Sequence, residues 1–175
     1  MENNKKGLKS NMREWVICIG VALIVAIIIN KFLIFKIEVP TASMYPTIKK
    51  GDNFFVSRIY NFDKLKNGDI IVFYSRENDD EYVKRLIGLP GDIVEIEKGV
   101  VSVNGKVLNE EYVKNVDTEY NGTFEVPEDK YFFLGDNRTN SKDSRWWKNS
   151  YVDKDDIEGK VQIRVYPFDS FGLIE

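Results

Sequence analysis

From Trp15 to Ile29 the chain reads WVICIGVALIVAIII, 15 residues without a charge. The run is apolar around the whole helical circumference, so it is not one face of an amphipathic surface helix. As helix it spans about 22 Å, short of the roughly 30 Å hydrocarbon layer of a bilayer. Asn30 and Lys31 interrupt it and FLIF carries it to Phe35. Residues 15–35 then reach about 31 Å, with Lys31 snorkelling toward the headgroups. The expectation is one transmembrane helix over 15–35, preceded by a short segment, 1–14. In that segment Lys5, Lys6, Lys9 and Arg13 outnumber Glu2 and Glu14. This bias places the N-terminus in the cytoplasm and the rest of the chain outside the cell membrane. A cleaved leader would share the positive start but close on small residues, whereas Lys31, Lys36 and Glu38 follow here. Cys18, the single cysteine, lies inside the span as a small apolar residue.

The remaining 36–175 is long enough for one domain with its own core. The whole chain has 25 Lys and Arg against 28 Asp and Glu, and the outer part alone carries 20 against 26, a net of −6. That acidity suits a soluble extracytoplasmic module and argues against a nucleic-acid partner. The chain contains no histidine. Ser-His-Asp and Cys-His catalytic pairs are therefore excluded, as are histidine-ligated metals. A lone cysteine excludes an internal disulfide and a zinc ribbon. Any general base must be Lys, Asp, Glu or Tyr.

Beyond Lys36 there is no long stretch of helical periodicity. Short β-branched and aromatic runs follow one another instead: FFVSRI (54–59), IIVFY (70–74), YVKRLI (82–87), DIVEIE (92–97), VVSV (100–103), YFFLG (131–135) and VQIRVY (161–166). Asn104-Gly105 between VVSV and KVL predicts a two-residue hairpin turn of the primed type. The fold class is mostly β, an antiparallel domain behind one N-terminal helix. Residues 137–156 are mostly polar, carry adjacent Trp146 and Trp147, and read as a structured loop with room for one helical turn.

Four segments concentrate the chemistry: TASMYPT (41–47), GDIIVF (68–73), KRLIGLPGD (84–92) and GDNRTNSKDSR (135–145). Ser43 stands eight residues past Phe35, within about 27 Å of the membrane boundary. Lys84 lies in an apolar strand with Tyr82 and Leu86 on its face. The fourth segment packs Asp136, Arg138, Asp143 and Arg145 into eleven residues, which demands mutual pairing if it is buried. Without histidine, a serine nucleophile is open to activation by a lysine. Lysine is a base only when neutral, so its pKa must fall roughly 2–3 units, which desolvation can supply. The bland alternatives are a turn serine before Pro46 and a solvated Lys84-Arg85 pair on an edge strand.

In this order behind an N-terminal anchor, the four segments resemble the boxes of type I signal peptidases, membrane-anchored serine endopeptidases. The resemblance covers residues 15 to about 165 and favours the compact Gram-positive kind, with 93–134 a short insertion between boxes. It implies an antiparallel β-sheet catalytic domain of signal-peptidase/SOS-repressor type. It makes Ser43 the nucleophile and Lys84 the general base of a Ser-Lys dyad. The Thr41 hydroxyl and the Ser43 backbone N–H would form the oxyanion hole, and Ser141 would orient Lys84. Asp143 and Arg145 would form a structural ion pair, with Asp136 in the same network. Gly88, Pro90, Gly91 and Asp92 would shape a turn.

The implied substrates are the signal peptides of exported preproteins, bound extended with small residues near the scissile bond, beside the lipid bilayer. No cofactor, metal or nucleic acid is called for. One departure bears on specificity: Thr41-Ala42 stands where the family often has Ser-Gly. Thr keeps a hydroxyl but is stiff at χ1, and Ala42 adds a methyl near the substrate path. Met44, Tyr45 and Ile37 are candidate apolar surface near the bilayer. Two other readings use the same residues: a signal-peptidase-like accessory protein for pilus or surface-protein assembly, and a self-cleaving regulator of the SOS-repressor type, for which no DNA-binding element is present.

Overall fold

The computed structural model describes residues 2–174 and divides into two compact units at Phe35/Lys36. Met1 and Glu175 lie outside the described residues, as do the side chains of 2–11 and Arg13, on which the orientation expectation rests.

The first unit is the helix α1 (Glu2–Phe32). Within it Glu14–Phe32, 19 residues, is apolar enough to cross a membrane and none of it is buried. Trp15, Ile17, Leu23 and Ile27 all stand exposed, as suits a helix solvated by lipid rather than water. The helix stops three residues short of Phe35. Leu33 makes a turn, and Ile34 and Phe35 begin strand β1 (Ile34–Glu38), where β-branched and aromatic side chains fit a pleated surface.

The second unit is built from β2 (Asn53–Arg58), β3 (Ile70–Ser75), β4 (Asp80–Gly88), β5 (Ile93–Glu97), β6 (Val100–Val103), β7 (Lys106–Val107), β8 (Gly122–Glu125), β9 (Lys130–Leu134), β10 (Val152–Asp153), β11 (Ile157–Tyr166) and β12 (Gly172–Leu173). The larger sheet runs β1-β2-β11-β3-β4-β9-β10 with β12 paired to β11, and the smaller runs β7-β6-β5-β8. The described pairings are antiparallel. The fold is therefore mostly antiparallel β with one apolar N-terminal helix. β8, β10 and β12 escape a reading by hydrophobic runs because they are only two to four residues long.

Side-chain alternation explains the core. On β9, Tyr131 and Phe133 enter one cluster with Leu65, Ile71, Phe73, Leu86 and Trp147. Phe132 and Leu134 enter a second cluster with Ile87, Val94, Ile96, Val101 and Val103. A strand buried on both faces reads as the continuous apolar run YFFL. β5 instead alternates, with Val94 and Ile96 inward and Ile93, Glu95 and Glu97 outward. The β6–β7 turn is of the primed type, since Asn104 and Gly105 both have positive φ, 52° and 75°. Residues 137–156 hold two single-turn 3₁₀ segments, Arg138–Asn140 and Lys154–Asp156. The adjacent tryptophans divide: Trp147 is core, whereas Trp146 is exposed with its ring edge-on to Tyr120 at 5.0 Å.

Candidate active site

Strand β4 sets the geometry. It pairs with β3 in the register Ile71↔Lys84 and Ile70↔Arg85, so successive side chains leave opposite faces. Lys84 shares the Leu86 face and Arg85 the Ile87 face. Both are buried, at 3% and 2% exposure, which removes the solvated-edge alternative.

Ser43 lies in a series of turns over 41–48, tied by Tyr45 N–H to Ala42 O at 3.1 Å and Ile48 N–H to Met44 O at 2.9 Å. Met44 and Ile48 anchor the turns in the interior. Met44 is thus a core residue and not apolar surface, while Tyr45 is exposed. Lys84 Nζ donates to Ser43 Oγ at 2.6 Å. The Tyr82 ring lies 5.2 Å from Nζ and helps exclude water. Burial lowers the Lys84 pKa from 10.5 to about 8, against the pull of Asp143 and Asp136, which favour the charged form. The Thr41 hydroxyl stands 3.3 Å from Ser43 Oγ, so the serine oxygen meets both an amine and a second hydroxyl.

The fourth segment forms the floor. Asp143 pairs with Arg145 at 2.9 Å, both fully buried, and its other oxygen accepts the Gly135 N–H at 3.0 Å. Asp136 has a cation of its own. Arg85 donates to it twice, at 2.8 and 2.7 Å, and Thr47 Oγ1 donates at 2.5 Å. The two carboxylates belong to one short stretch, with Asp143 accepting the N–H of Gly135, the residue next to Asp136. Such buried pairs hold a site when each charge is matched. Ser141 is buried beside them, but no hydrogen bond joins it to Lys84. Among the described residues its Oγ has no partner. Gly135 is required by close approach, because a Cβ there would stand 2.2 Å from Ser141 Oγ and 2.5 Å from Ser43 O.

Asn137, in the sequence only one of the polar residues of the fourth segment, clamps the turn that carries Ser43. Its N–H donates to Ser43 O at 3.0 Å and its Nδ2 to Ala42 O at 3.1 Å. Arg85 was visible only as the neighbour of Lys84. The mutual pairing expected within the fourth segment holds for Asp143 and Arg145, whereas Asp136 and Arg138 take partners outside it, Arg85 and Glu110.

The turn of the third segment is structural. Gly91 has φ 82°, Asp92 Oδ2 accepts the Leu89 N–H at 2.8 Å, and a Cβ on Gly88 would stand 2.7 Å from Val94.

With this geometry the chain was compared with known proteins. The family model described as signal peptidase, peptidase S26, matches residues 12–166. Signal peptidase IB of Staphylococcus aureus strain Mu50 is 39% identical over 183 aligned positions, covering 94% of each chain. Signal peptidase I P of Bacillus subtilis subsp. natto is 39% identical over 180, covering 97% of each. The crystal structure of a signal peptidase I from Enterococcus faecalis V583 superposes with a TM-score of 0.50 at 37% identity, over 55% of this chain and 96% of that one. A family match over most of the length, and relatives similar along nearly all of it, lead to one assignment: the chain belongs to the signal peptidase family, peptidase S26.

Proposed function

We propose that this protein is a membrane-anchored serine endopeptidase that removes N-terminal signal peptides from exported preproteins, with Ser43 as nucleophile and Lys84 as general base. The observation that carries the reading is the 2.6 Å contact between Lys84 Nζ and Ser43 Oγ in a site where burial brings the lysine pKa to about 8. At pH 7 roughly a tenth of such lysines are neutral and able to accept a proton.

Neutral Lys84 takes the Ser43 proton as Oγ attacks the scissile carbonyl carbon. The resulting oxyanion is held by the Ser43 N–H and the Thr41 hydroxyl. Collapse breaks the C–N bond, and the lysine proton passes to the departing amine, the new N-terminus of the mature protein. Lys84 then deprotonates a water that hydrolyses the acyl-enzyme and restores Ser43. Ser141, with a buried unpartnered hydroxyl, is available to orient the lysine. Asp143, Arg145, Asp136 and Arg85 fix the loops and perform no chemistry. The substrate binds extended, adding a strand beside the site, with small residues near the scissile bond. The helix Glu14–Phe32 holds the enzyme in the bilayer, N-terminus in the cytoplasm, so that substrate and site meet at the outer surface.

The accessory-protein reading is not favoured, because the full-length relatives carry the name signal peptidase. The test is cleavage of a purified preprotein by the full-length chain in detergent. Wild type cleaves at the signal-peptide boundary, and Ser43→Ala and Lys84→Ala do not. Full activity in either variant overturns the dyad.

A further inference from the structure

The connection between β7 and β8 has no regular structure through 108–121, yet several of its side chains, among them the following four, meet the catalytic framework. Glu110 receives both guanidinium nitrogens of Arg138, at 3.0 and 2.6 Å. Tyr112 lies flat under the Arg85 guanidinium at 3.8 Å and donates its hydroxyl to Glu110 at 2.8 Å. Asn115 Nδ2 donates to Asn137 Oδ1 at 2.9 Å. Asp117 accepts from Arg145 Nη1 at 3.0 Å. Each partner belongs to, or is ion-paired with, the segment that floors the site.

The Asn115 contact differs in kind from the other three, because it bears on an orientation. A carboxamide has an acceptor end and a donor end that are nearly the same size, and only its partners distinguish them. Asn137 faces Ala42 O on one side and Asn115 on the other. With Asn115 Nδ2 donating to its oxygen, the Asn137 NH₂ is turned to Ala42 O, 3.1 Å away and one residue before the nucleophile. A reversed amide would set two oxygens against each other and release one of the two bonds that Asn137 makes to the 42–43 backbone.

We propose that Asn115 is a positioning residue: by donating to Asn137 Oδ1 it reinforces the amide orientation that Ala42 O selects and so helps hold the backbone that carries Ser43. The effect runs from a loop outside the four chemistry-bearing segments, through Asn137, to Ala42 O. Asn115 touches neither substrate nor the reacting atoms. The proposal rests on Ser43 being the nucleophile.

The test inverts the polarity at 115. Asn115→Asp offers only acceptors, which draw the Asn137 NH₂ away from Ala42 O. Asn115→Ala removes the donor but leaves the amide free to keep that bond. Asn115→Gln keeps a donor. Cleavage of one preprotein by the full-length chain is followed as kcat and KM, with the thermal midpoint of each variant. The expected result is a fall in kcat of about 10-fold or more for Asn115→Asp, as for other small misplacements of a reacting group. Asn115→Ala loses less, Asn115→Gln is restored toward wild type, and KM changes little throughout. Equal losses in Asp and Ala variants that track their thermal midpoints would mean a merely structural contact and overturn the proposal. Wild-type kcat in Asn115→Asp would overturn it too. Ser43→Ala and Lys84→Ala run alongside: if they remain active, the dyad reading fails, whereas if they are dead and Asn115→Asp is not impaired, only the positioning role fails.

Discussion

Lys84 and Ser43, 41 positions apart in the chain, meet at 2.6 Å with the lysine nitrogen buried and the serine oxygen as its acceptor. The strand register places the lysine and the turn anchored by Met44 and Ile48 places the serine, so each partner is fixed by its own element. The distance alone allows proton transfer. Which direction it runs at a given pH depends on how far burial has weakened the ammonium.

Activity should follow the neutral fraction of Lys84. With a pKa of about 8, kcat/KM is expected to fall nearly tenfold per unit below that pH and to level off above it. Initial rates of preprotein cleavage from pH 6 to 10 check this, with chelators leaving the rate unchanged. A profile flat across that range would rule out Lys84 as the titrating base.

The same burial should cost stability, and the sign can be read from the titration. The unfolded lysine binds its proton up to about pH 10.5, the folded one only up to about 8. Between these values the unfolded state holds more protons, so stability rises with pH across that window, and below it the full penalty remains. Lys84→Met is therefore expected to be inactive but more stable near pH 7, by about 1–3 kcal/mol. The advantage should shrink as pH rises from 8 toward 10.5. Urea midpoints of both proteins at pH 7 and pH 10 make the comparison.

Two glycine substitutions should separate site from scaffold. A methyl on Gly135 meets Ser141 Oγ and the Ser43 carbonyl, both in the site. Gly135→Ala is expected to lower kcat by about 100-fold through displacement of the nucleophile. A methyl on Gly88 meets Val94 and Val126 side chains in the core. Gly88→Ala should cost about 1–3 kcal/mol of stability, with kcat of the folded fraction retained. Rates normalised to folded protein, with thermal midpoints, distinguish the two.

The paired charges under the site invite a double-mutant cycle. Arg85→Met leaves Asp136 buried without its cation and should destabilise by about 3–5 kcal/mol, while adding Asp136→Leu should restore much of that loss. Full additivity of the two single losses would mean the charges are not coupled, contrary to their 2.7 Å contact.

Much of this site was legible in the sequence because the residues came in boxes whose types limit their chemistry. The absence of histidine left Lys, Asp, Glu or Tyr as the base, and the resemblance to signal peptidases singled out Lys84 on its apolar strand. Strands such as VVSV and the Asn104-Gly105 turn were legible because local preference and fold agree there. What escaped depends on tertiary pairing. Nothing local says that Arg85 answers Asp136, or that Asp136 and Asp143 take different cations. Asn115 and Asp117 sit in a polar connection whose composition reads as solvated loop, and only the packed domain sets them against Asn137 and Arg145. The short strands β8, β10 and β12 exist because a longer neighbour offers them an edge. Ile34 and Phe35 read as the end of an apolar helix because the same side chains serve lipid and sheet equally.

The membrane span makes its own prediction through the single thiol. Cys18 is exposed on α1, four residues into the Glu14–Phe32 span, roughly 6 Å along a helix. On that surface in water a thiol would react readily with a hydrophilic maleimide. Inside the hydrocarbon layer it should not, since a charged reagent does not enter. Sealed membrane vesicles holding the full-length protein are expected to leave Cys18 unlabelled until SDS is added. For orientation, Ser170→Cys in a Cys18→Ala background puts the only thiol on an exposed position of the outer domain. An impermeant maleimide added to intact cells should label it. Labelling of Cys18 in intact vesicles would remove the helix from the bilayer, and protection of position 170 in intact cells would reverse the topology.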